Sequence, residues 1–488
     1  MTGEMHICLR IDPGRLLRWH VWLAQELRAI EGARLHIAAD SAPPWPLGMA
    51  ALLALEQVLH GGAHGCNIVA PDALPAPPVA ECAHGDMTIS LTGKGLGGDG
   101  IVVPLFDRGA GEAAALGAVL EGRAPVLEVL ADGRIQPIGL PAMEEPDVAL
   151  KALDSVMARM VEGIVRMVRE RLGQIPPCPA AEPVPPRPAA AVSGLRAGRF
   201  AAASLAGKIA KRIRRLAGGR QKTWMTGWRR IGPGQGVHDT FAFDEGAYAI
   251  LPDDGKRFYA DPFVCRRGGR HFVFVEEYPY ATGKGVISVF EIGEDGQASR
   301  PRVVLEEDVH LSYPHIFSHQ GQLWMIPESE AGRQVALYRC VDFPGHWERE
   351  AVLMDDVAAS DATVFRHEGL WWMMASLRPP FGSSWDGLGI FMSESLHGPW
   401  RAQAGNPVLV DARAARPAGA LFHHHGALYR PAQDCTGGYG AGLCLCRIGR
   451  LDAECFLQKI ERNFRPRLKS GFHTLNAADG IEVVDFFG

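Results

Sequence analysis

No two of the ten cysteines stand as C-x-x-C. The nearest pair, Cys444 and Cys446, would share one face of a strand and cannot make a metal knuckle. Cysteines this scattered are expected to be reduced thiols. No stretch approaches the roughly 20 uninterrupted apolar residues that a membrane span needs. The opening residues 1–15 lack the basic, apolar, then small-residue order of a secretory leader, and MHICLRI (5–11) reads as a strand. Together these absences predict a soluble cytoplasmic protein. Charge of one sign is missing too: 50 Lys and Arg against 55 Asp and Glu leave −5 over 488 residues, which does not call for nucleic acid. No motif asks for a cofactor or a metal ion. The one G-x-G-x-x-G, formed by Gly95, Gly97 and Gly100, precedes the strand-like IVVPLF rather than a helix, so it reads as a turn.

What is present divides into three regions. Residues 1–172 alternate strands (5–11, 34–40, 87–92, 101–106) with helical periodicity (16–30, 47–60, 147–171), which predicts an α/β layer domain with a largely parallel sheet. Residues 173–222 form a linker, first Pro- and Ala-rich and then basic. Lys208, Lys211, Arg212, Arg214 and Arg215 fall on a short helix whose other face carries Leu205, Ile209 and Ile213. A solvated linker helix and a contact of 208–215 with an anionic membrane surface both remain open.

Residues 223–488 repeat. Five segments share a strand, a Gly turn and a second strand: 260–277, 313–329, 361–376, 418–434 and, more weakly, 473–486. Their leading positions are Asp261, Tyr313, Asp361, Ala418 and His473, which lie 52, 48, 57 and 55 residues apart. A period near 50 with paired strands predicts an all-β five-bladed propeller, since a single blade cannot bury its own faces.

The innermost strand of each blade lines the axis, so equivalent positions converge there. Leading positions are polar in most repeats, as are those seven residues past the turn glycine: Glu276, Glu328, Ser376 and Gln433. Glu277, His315, Arg416, Asp434 and Asn476 stand beside them. Carboxylates from separate blades facing one another suit chemistry at a glycosidic bond, one acting as base or nucleophile and another as acid. Asp261, Asp361 and Glu328 are therefore the catalytic candidates. Glu277, Tyr313, His315, Arg416, Gln433, Asp434, His473 and Asn476 are the candidates for substrate binding. Competing readings stay open: Asp261 and Asp361 can cap their own turns, and Arg416 can be a blade-to-blade ion pair rather than a clamp on an anion. Tyr313 and Trp324 can stack on a sugar or pack in the core. Consecutive His423, His424 and His425 alternate faces and make no metal site.

YADPFV, HLSYPHIF, MIPES, SDATVF, GPW, RPAGALF, YRPAQD and GFHTLN together resemble the propeller domain at the N-terminus of plant glucosamine inositolphosphorylceramide transferases and its bacterial relatives. In bacterial relatives such a propeller follows a formyltransferase-like α/β domain, of which residues 5–171 look like a diverged version without the family's His-x-Ser-Leu-Leu-Pro motif. More distantly, the repeats are similar to five-bladed family-43 glycoside hydrolases. That resemblance implies Asp261 as base and Asp361 as the group tuning it. The acid is expected as a Glu at the place where this chain has Arg416-Pro417-Ala418-Gly419, which leaves Glu328 or Glu277 for that role.

The leading expectation is a carbohydrate-active protein of glycan or glycolipid synthesis or remodelling, acting by hydrolysis or glycosyl transfer on a carbohydrate, sugar-phosphate or glycolipid. A second is a non-catalytic glycan-binding module that partners a separate glycosyltransferase. A third is formyl or acyl transfer by the N-terminal domain, which needs polar groups such as His20, His36 or Asp40 converging at the strand ends.

Overall fold

The computed structural model describes residues 4–82, 85–94, 98–178, 183–216 and 222–488. It divides into two compact units, residues 1–220 with 379–383 and residues 221–378 with 384–488.

The N-terminal unit is built on strands β1 (Met5–Ile11), β2 (Ala33–Ala39), β3 (Met87–Ser90), β4 (Ile101–Phe106), β5 (Gly109–Ala110), β6 (Leu127–Ala131) and β7 (Arg134–Gly139). Its helices are α1 (Arg18–Arg28), α2 (Leu47–His60), α3 (Glu112–Val119), α4 (Ala149–Arg171) and α5 (Gly194–Leu216). The sheet order is β2-β1-β3-β4-β6-β7, with β5 on β4. Pairing is parallel from β2 to β4 and antiparallel from β4 through β7. The expectation of a largely parallel sheet is thus corrected to a mixed one. β6 runs antiparallel to β4, and the β6–β7 hairpin adds a second such pair, turned by Asp132 and Gly133 at φ 51° and 70°, the left-handed pair that suits a two-residue Asp-Gly loop. Apolar faces of α1 and α4 cover the sheet through residues such as Leu23, Leu27, Val156 and Met160.

Cys8 on β1 and Cys82 are joined by a disulfide, against the expectation of reduced thiols. The chain returning into β3 runs beside β1 and brings the two together. Gly95 and Gly97 of the glycine run lie outside the described residues. Gly100 sits in a left-handed turn at φ 70° directly before β4, as the turn reading requires.

The second unit is five four-stranded antiparallel blades, one of them with an extra short strand. Blade 5 takes its two outer strands from the beginning of the unit, β8 (Trp224–Arg230) and β9 (Ala249–Ile250). Blade 1 is β10 (Arg257–Arg267), β11 (Arg270–Pro279), β12 (Val286–Ile292) and β13 (Arg302–Leu305). Blade 2 is β14 (Ser312–His319), β15 (Gln322–Glu328), β16 (Gln334–Asp342) and β17 (His346–Asp355). Blade 3 is β18 (Ala359–His367), β19 (Leu370–Leu377) and β20 (Gly387–Ser393), edged by the short β21 (Arg401–Ala402) and β22 (Leu409–Val410). Blade 4 is β23 (Phe422–His424), β24 (Ala427–Asp434), β25 (Gly442–Leu451) and β26 (Phe456–Phe464). Blade 5 begins with β27 (Leu475–Ala478) and β28 (Ile481–Phe487). Pairing of β28 with β8, from Ile481–Arg230 to Phe487–Trp224, closes the ring. Blade 5 is thereby completed by strands from both ends of the unit.

Apolar side chains fill the spaces between blades. Trp324 and Trp371 lie buried in one such cluster with Ile326, Val364 and Met373, so Trp324 is core rather than a sugar platform.

Candidate functional site

Three blades carry the same irregularity at the inner strand. Strand register slips between Ala260 and Phe263, between Ser312 and His315, and between Ser360 and Thr363. The first residue of each bulge has positive φ: Asp261 50°, Tyr313 41° and Asp361 57°. Non-glycine residues rarely adopt this conformation, and it is costly. A bulge re-aims a side chain that would otherwise follow the strand's alternation, and here it brings all three onto the axis. In blade 4 the corresponding stretch contains Gly419, at φ 137°. A Cβ there would meet the Leu475 carbonyl oxygen at 2.2 Å. Glycine is what lets the fourth blade close against the fifth.

The converging side chains form two linked networks. In the first, Asp261 Oδ2 accepts from the Tyr313 amide at 3.2 Å, and Oδ1 accepts from the Thr474 hydroxyl at 2.8 Å. The Asp261 amide donates to Asp485 Oδ2 at 3.0 Å. Asp485 also accepts from the amides of His473 and Thr474. His473 Nδ1 stands 2.6 Å from Asp485 and 3.6 Å from Asp261. Burial alone would lower the His473 pKa, but Asp485 and Asp261 outweigh it and hold the imidazole at about 9, so it is an imidazolium at neutral pH. Burial pushes Asp261 up to about 7, opposed by His473 and reinforced by Asp485, Glu276 and Asp361.

The second network centres on Arg416. Its Nε donates to Asp361 Oδ2 at 2.6 Å, and Nη2 reaches Asp361 Oδ1 at 3.3 Å and Glu328 Oε2 at 3.4 Å. Nη1 donates to the Ser384 hydroxyl at 3.1 Å. Gln433 Nε2 donates to the same Asp361 Oδ2 at 3.1 Å. Burial, together with the Asp361 carboxylate, raises the Glu328 pKa well above the usual range despite Arg416. Its carboxyl therefore holds its proton to higher pH than an ordinary glutamate does. The Arg416 guanidinium lies 5.0 Å from the ring of Tyr439, and Tyr439 packs edge-on against His473, whose other face stacks on Trp224 at 3.8 Å. Tyr439 is 36% exposed and offers the aromatic surface at this place.

Among the candidates, Asp261, Asp361, Glu328, Arg416, Gln433 and His473 come together. Neither Asp caps its own turn; each reaches across to other blades. Arg416 is the blade-to-blade ion pair, already saturated by carboxylates rather than free to clamp an anion. The other candidates make their contacts elsewhere. Glu277 turns away, pairing with Arg257 and accepting from the Ser288 hydroxyl inside blade 1; its neighbour Glu276 faces the opposite side and pairs with His310. Tyr313 is a plug, fully buried, its hydroxyl accepting from the Gly419 amide at 2.7 Å and bonded to the Thr363 hydroxyl at 2.9 Å. His315 is bonded to the Val364 carbonyl and flanked by Phe263 and Phe317; burial pushes its pKa down to about 4. Asp434 is used by Thr436, Asn463 and Arg465 within and beside blade 4. Asn476 ties the Ala420 amide to the Pro262 carbonyl.

Asp485, Thr474, Ser384, Trp224 and Tyr439 escaped the sequence reading. For Asp485 a signal was available. Five residues past the turn glycine the other repeats have Phe274, Ile326, Met374 and Pro431, so a carboxylate at that place in blade 5 breaks an apolar column. Asp261, His473 and Asp485 also set one ligand atom each within 4.8 Å of one another, the one such His/Cys/Asp/Glu group among the described residues. That space is organised around the His473 proton and inward-pointing amides, which suits an imidazolium better than a metal ion.

In the N-terminal unit, Asp40 at the end of β2 accepts from Thr92 at 2.9 Å and from Lys94 at 3.0 Å. His20 turns instead to Glu112, and His36 stacks on His6. The three do not converge.

Residues 251–482 match the family model described as glucosamine inositolphosphorylceramide transferase 1, N-terminal. The propeller is thus similar to that family of N-terminal domains. Glucosamine inositolphosphorylceramide transferase 1 of Oryza sativa subsp. japonica is 36% identical over 200 residues, which is 40% of this chain and 27% of the rice protein. The protein of the same name from Arabidopsis thaliana is 35% identical over 201 residues, 40% of this chain and 26% of that one. The match thus spans about a quarter of the relatives' length. Among solved structures, Zg3597, a family 117 glycoside hydrolase of Zobellia galactanivorans, superposes with a TM-score of 0.36 at 12% identity, over 55% of this chain and 90% of that one. An exo-β-1,3-galactanase of Clostridium thermocellum gives 0.36 at 12% identity, over 48% and 57%.

Proposed function

We propose that the propeller holds the carbohydrate part of a glycan or glycolipid at its axis and performs acid–base chemistry on a glycosidic bond. The observation that carries this reading is the convergence of Asp261, Asp361 and Glu328 from separate blades, with burial raising the pKa of both Asp261 and Glu328. Glu328, its pKa raised by burial and by Asp361, is the group to give a proton to a departing oxygen. Asp261, poised near pH 7, can take one from an attacking hydroxyl or water. Asp361, locked by Arg416 and Gln433, positions Arg416 and adds to the rise that burial gives the Glu328 pKa. Tyr439 supplies the apolar ring face that sugars stack on. The relatives' printed name, a transferase for glucosamine inositolphosphorylceramide, favours transfer to or from a glycolipid over digestion of a polymer. No metal or cofactor is needed for these steps.

A second reading, a glycan-binding module without turnover, is favoured by one observation. Every oxygen of Asp261 and Asp361 already accepts a hydrogen bond from the protein. The decisive experiment screens nucleotide sugars and short oligosaccharides by thermal shift, then follows the hits for free reducing sugar or for a lengthened acceptor. Catalysis predicts turnover in the wild type and its loss, with binding kept, in Asp261→Asn and Glu328→Gln. Binding without turnover in all three proteins selects the second reading.

A further inference from the structure

Helix α5 changes character along its length. Its first half packs on the N-terminal unit through Ala197, Phe200 and Ala201. Its second half turns large apolar side chains to solvent: Leu205 is 53% exposed, Ile209 51% and Ile213 60%. Spacing of i, i+4 and i+8 lines these three along one stripe. Helix α2 runs alongside. A Cβ at Gly48 would meet the Ser193 and Gly194 backbone at 2.7 Å, and Lys208 Nζ lies 2.7 Å from His60 Nε2 at the other end. α2 exposes Leu55, Val58 and Leu59, again at helical spacing. So many apolar side chains presented together ask for a cover.

The exposed charge that α5 itself carries beside this stripe is of one sign. Between Glu182 and Asp239 the sequence has no acidic residue, while Lys208, Lys211, Arg212, Arg214 and Arg215 all fall in the last part of the α5 sequence. The acidic residue of α2, Glu56, is buried and accepts from the Ala149 and Leu150 amides, so it opposes none of them. A second copy of the chain on this face would bring the same cations against each other. A nucleic acid would leave the apolar stripe uncovered. No helix among the described residues is long and apolar enough to cross a membrane.

We propose that α2 and the second half of α5 form a docking surface for an anionic lipid bilayer. The helices lie in the interface, apolar stripe among the acyl chains and Lys and Arg side chains at the headgroups. This rests on the N-terminal unit alone and stands whatever chemistry the propeller performs.

The test is flotation of the full chain with vesicles of phosphatidylcholine and with vesicles that also contain phosphatidylserine. Binding is expected to the second only, and to weaken as salt shortens the screening length. Lys208→Gln with Arg212→Gln should lower partitioning about 25-fold, roughly fivefold for each charge. Ile209→Glu with Ile213→Glu should abolish it, and Ile209→Leu should keep it. All these positions are exposed, so circular dichroism should show the fold unchanged. No binding to either vesicle overturns the proposal. So does undiminished binding by the double Glu variant, or a wild-type dimer that this variant turns into a monomer.

Discussion

Both units bury carboxylates, and they treat them in opposite ways. In the N-terminal unit, Glu112 accepts from the rings of Trp19 and His20 at 3.2 Å each and of Trp45 at 3.5 Å. Burial would raise its pKa, but these donors win and it is lowered. At the propeller axis, Asp261 and Glu328 are no more deeply buried, yet both are raised. Depth is not what separates them. At Glu112 the His20 donor outweighs burial, whereas at Asp261 and Glu328 burial, reinforced by neighbouring carboxylates, outweighs His473 and Arg416. The first environment fixes an ionised group in place and the second leaves a proton to exchange near neutral pH.

The comparison breaks most visibly in turnover. Glu328→Gln and Asp261→Asn should each lower the rate on a glycan identified by screening about 10²- to 10⁴-fold, while Glu112→Gln leaves the rate unchanged. Next in size is Arg416→Met, which strips the counter-charge from Asp361 and Glu328. Denaturant unfolding should show a loss of about 3–5 kcal/mol, part of it restored in Arg416→Lys.

The pH dependence then separates the units by sign. His473 has its folded pKa, about 9, above its unfolded value. The stability it contributes is complete below about pH 6.5 and lost as the pH rises through 9, about 3 kcal/mol in all. Asp261, also raised, adds a loss of the same sign as the pH climbs through about 7. Glu112, lowered, works the other way: its contribution is present above its unfolded pKa and is lost as the pH falls through the folded one. Unfolding of His473→Gln should therefore flatten the alkaline limb alone. Tyr313→Phe leaves the Gly419 amide unpaired at the axis and should cost about 1–3 kcal/mol. The smallest effect, about 1 kcal/mol, is expected for Glu112→Gln, confined to a shallower acid limb. A Glu112→Gln protein with an altered alkaline limb would mean that the two environments are not independent.

Five blades were legible because a propeller is a repeat. Each hairpin must bury the same faces, so turn glycines and leading positions recur at near-constant spacing, and Asp261, Tyr313 and Asp361 stood out by interrupting apolar columns. The same logic reached Asp485 too late: it lies in the weakest repeat, where the column that would have flagged it was not aligned. Glu277 was misjudged for a different reason. Adjacent strand residues face opposite ways, and only the bulge after Ala260 decides which of Glu276 and Glu277 looks inward. In the N-terminal unit, periodicity placed α2 and α4 within two residues of their observed bounds. It missed the β6–β7 hairpin, although the Asp132-Gly133 turn is a recognised signal.

Local pattern, read residue by residue, determined the strands, the repeat, the linker and the polar character of the axis, because all of these rest on periods of two or 3.6 and on turn chemistry. Three things were left to the tertiary structure. Strand Trp224–Arg230 completes a blade begun some 250 residues later, a contact with no local signature. Arg416 is neutralised by Asp361 and Glu328 from other blades. The protonation of Asp261, Glu328 and His473 depends on which charges the ring brings within a few ångströms of one another, and that distance is written in no segment of the chain.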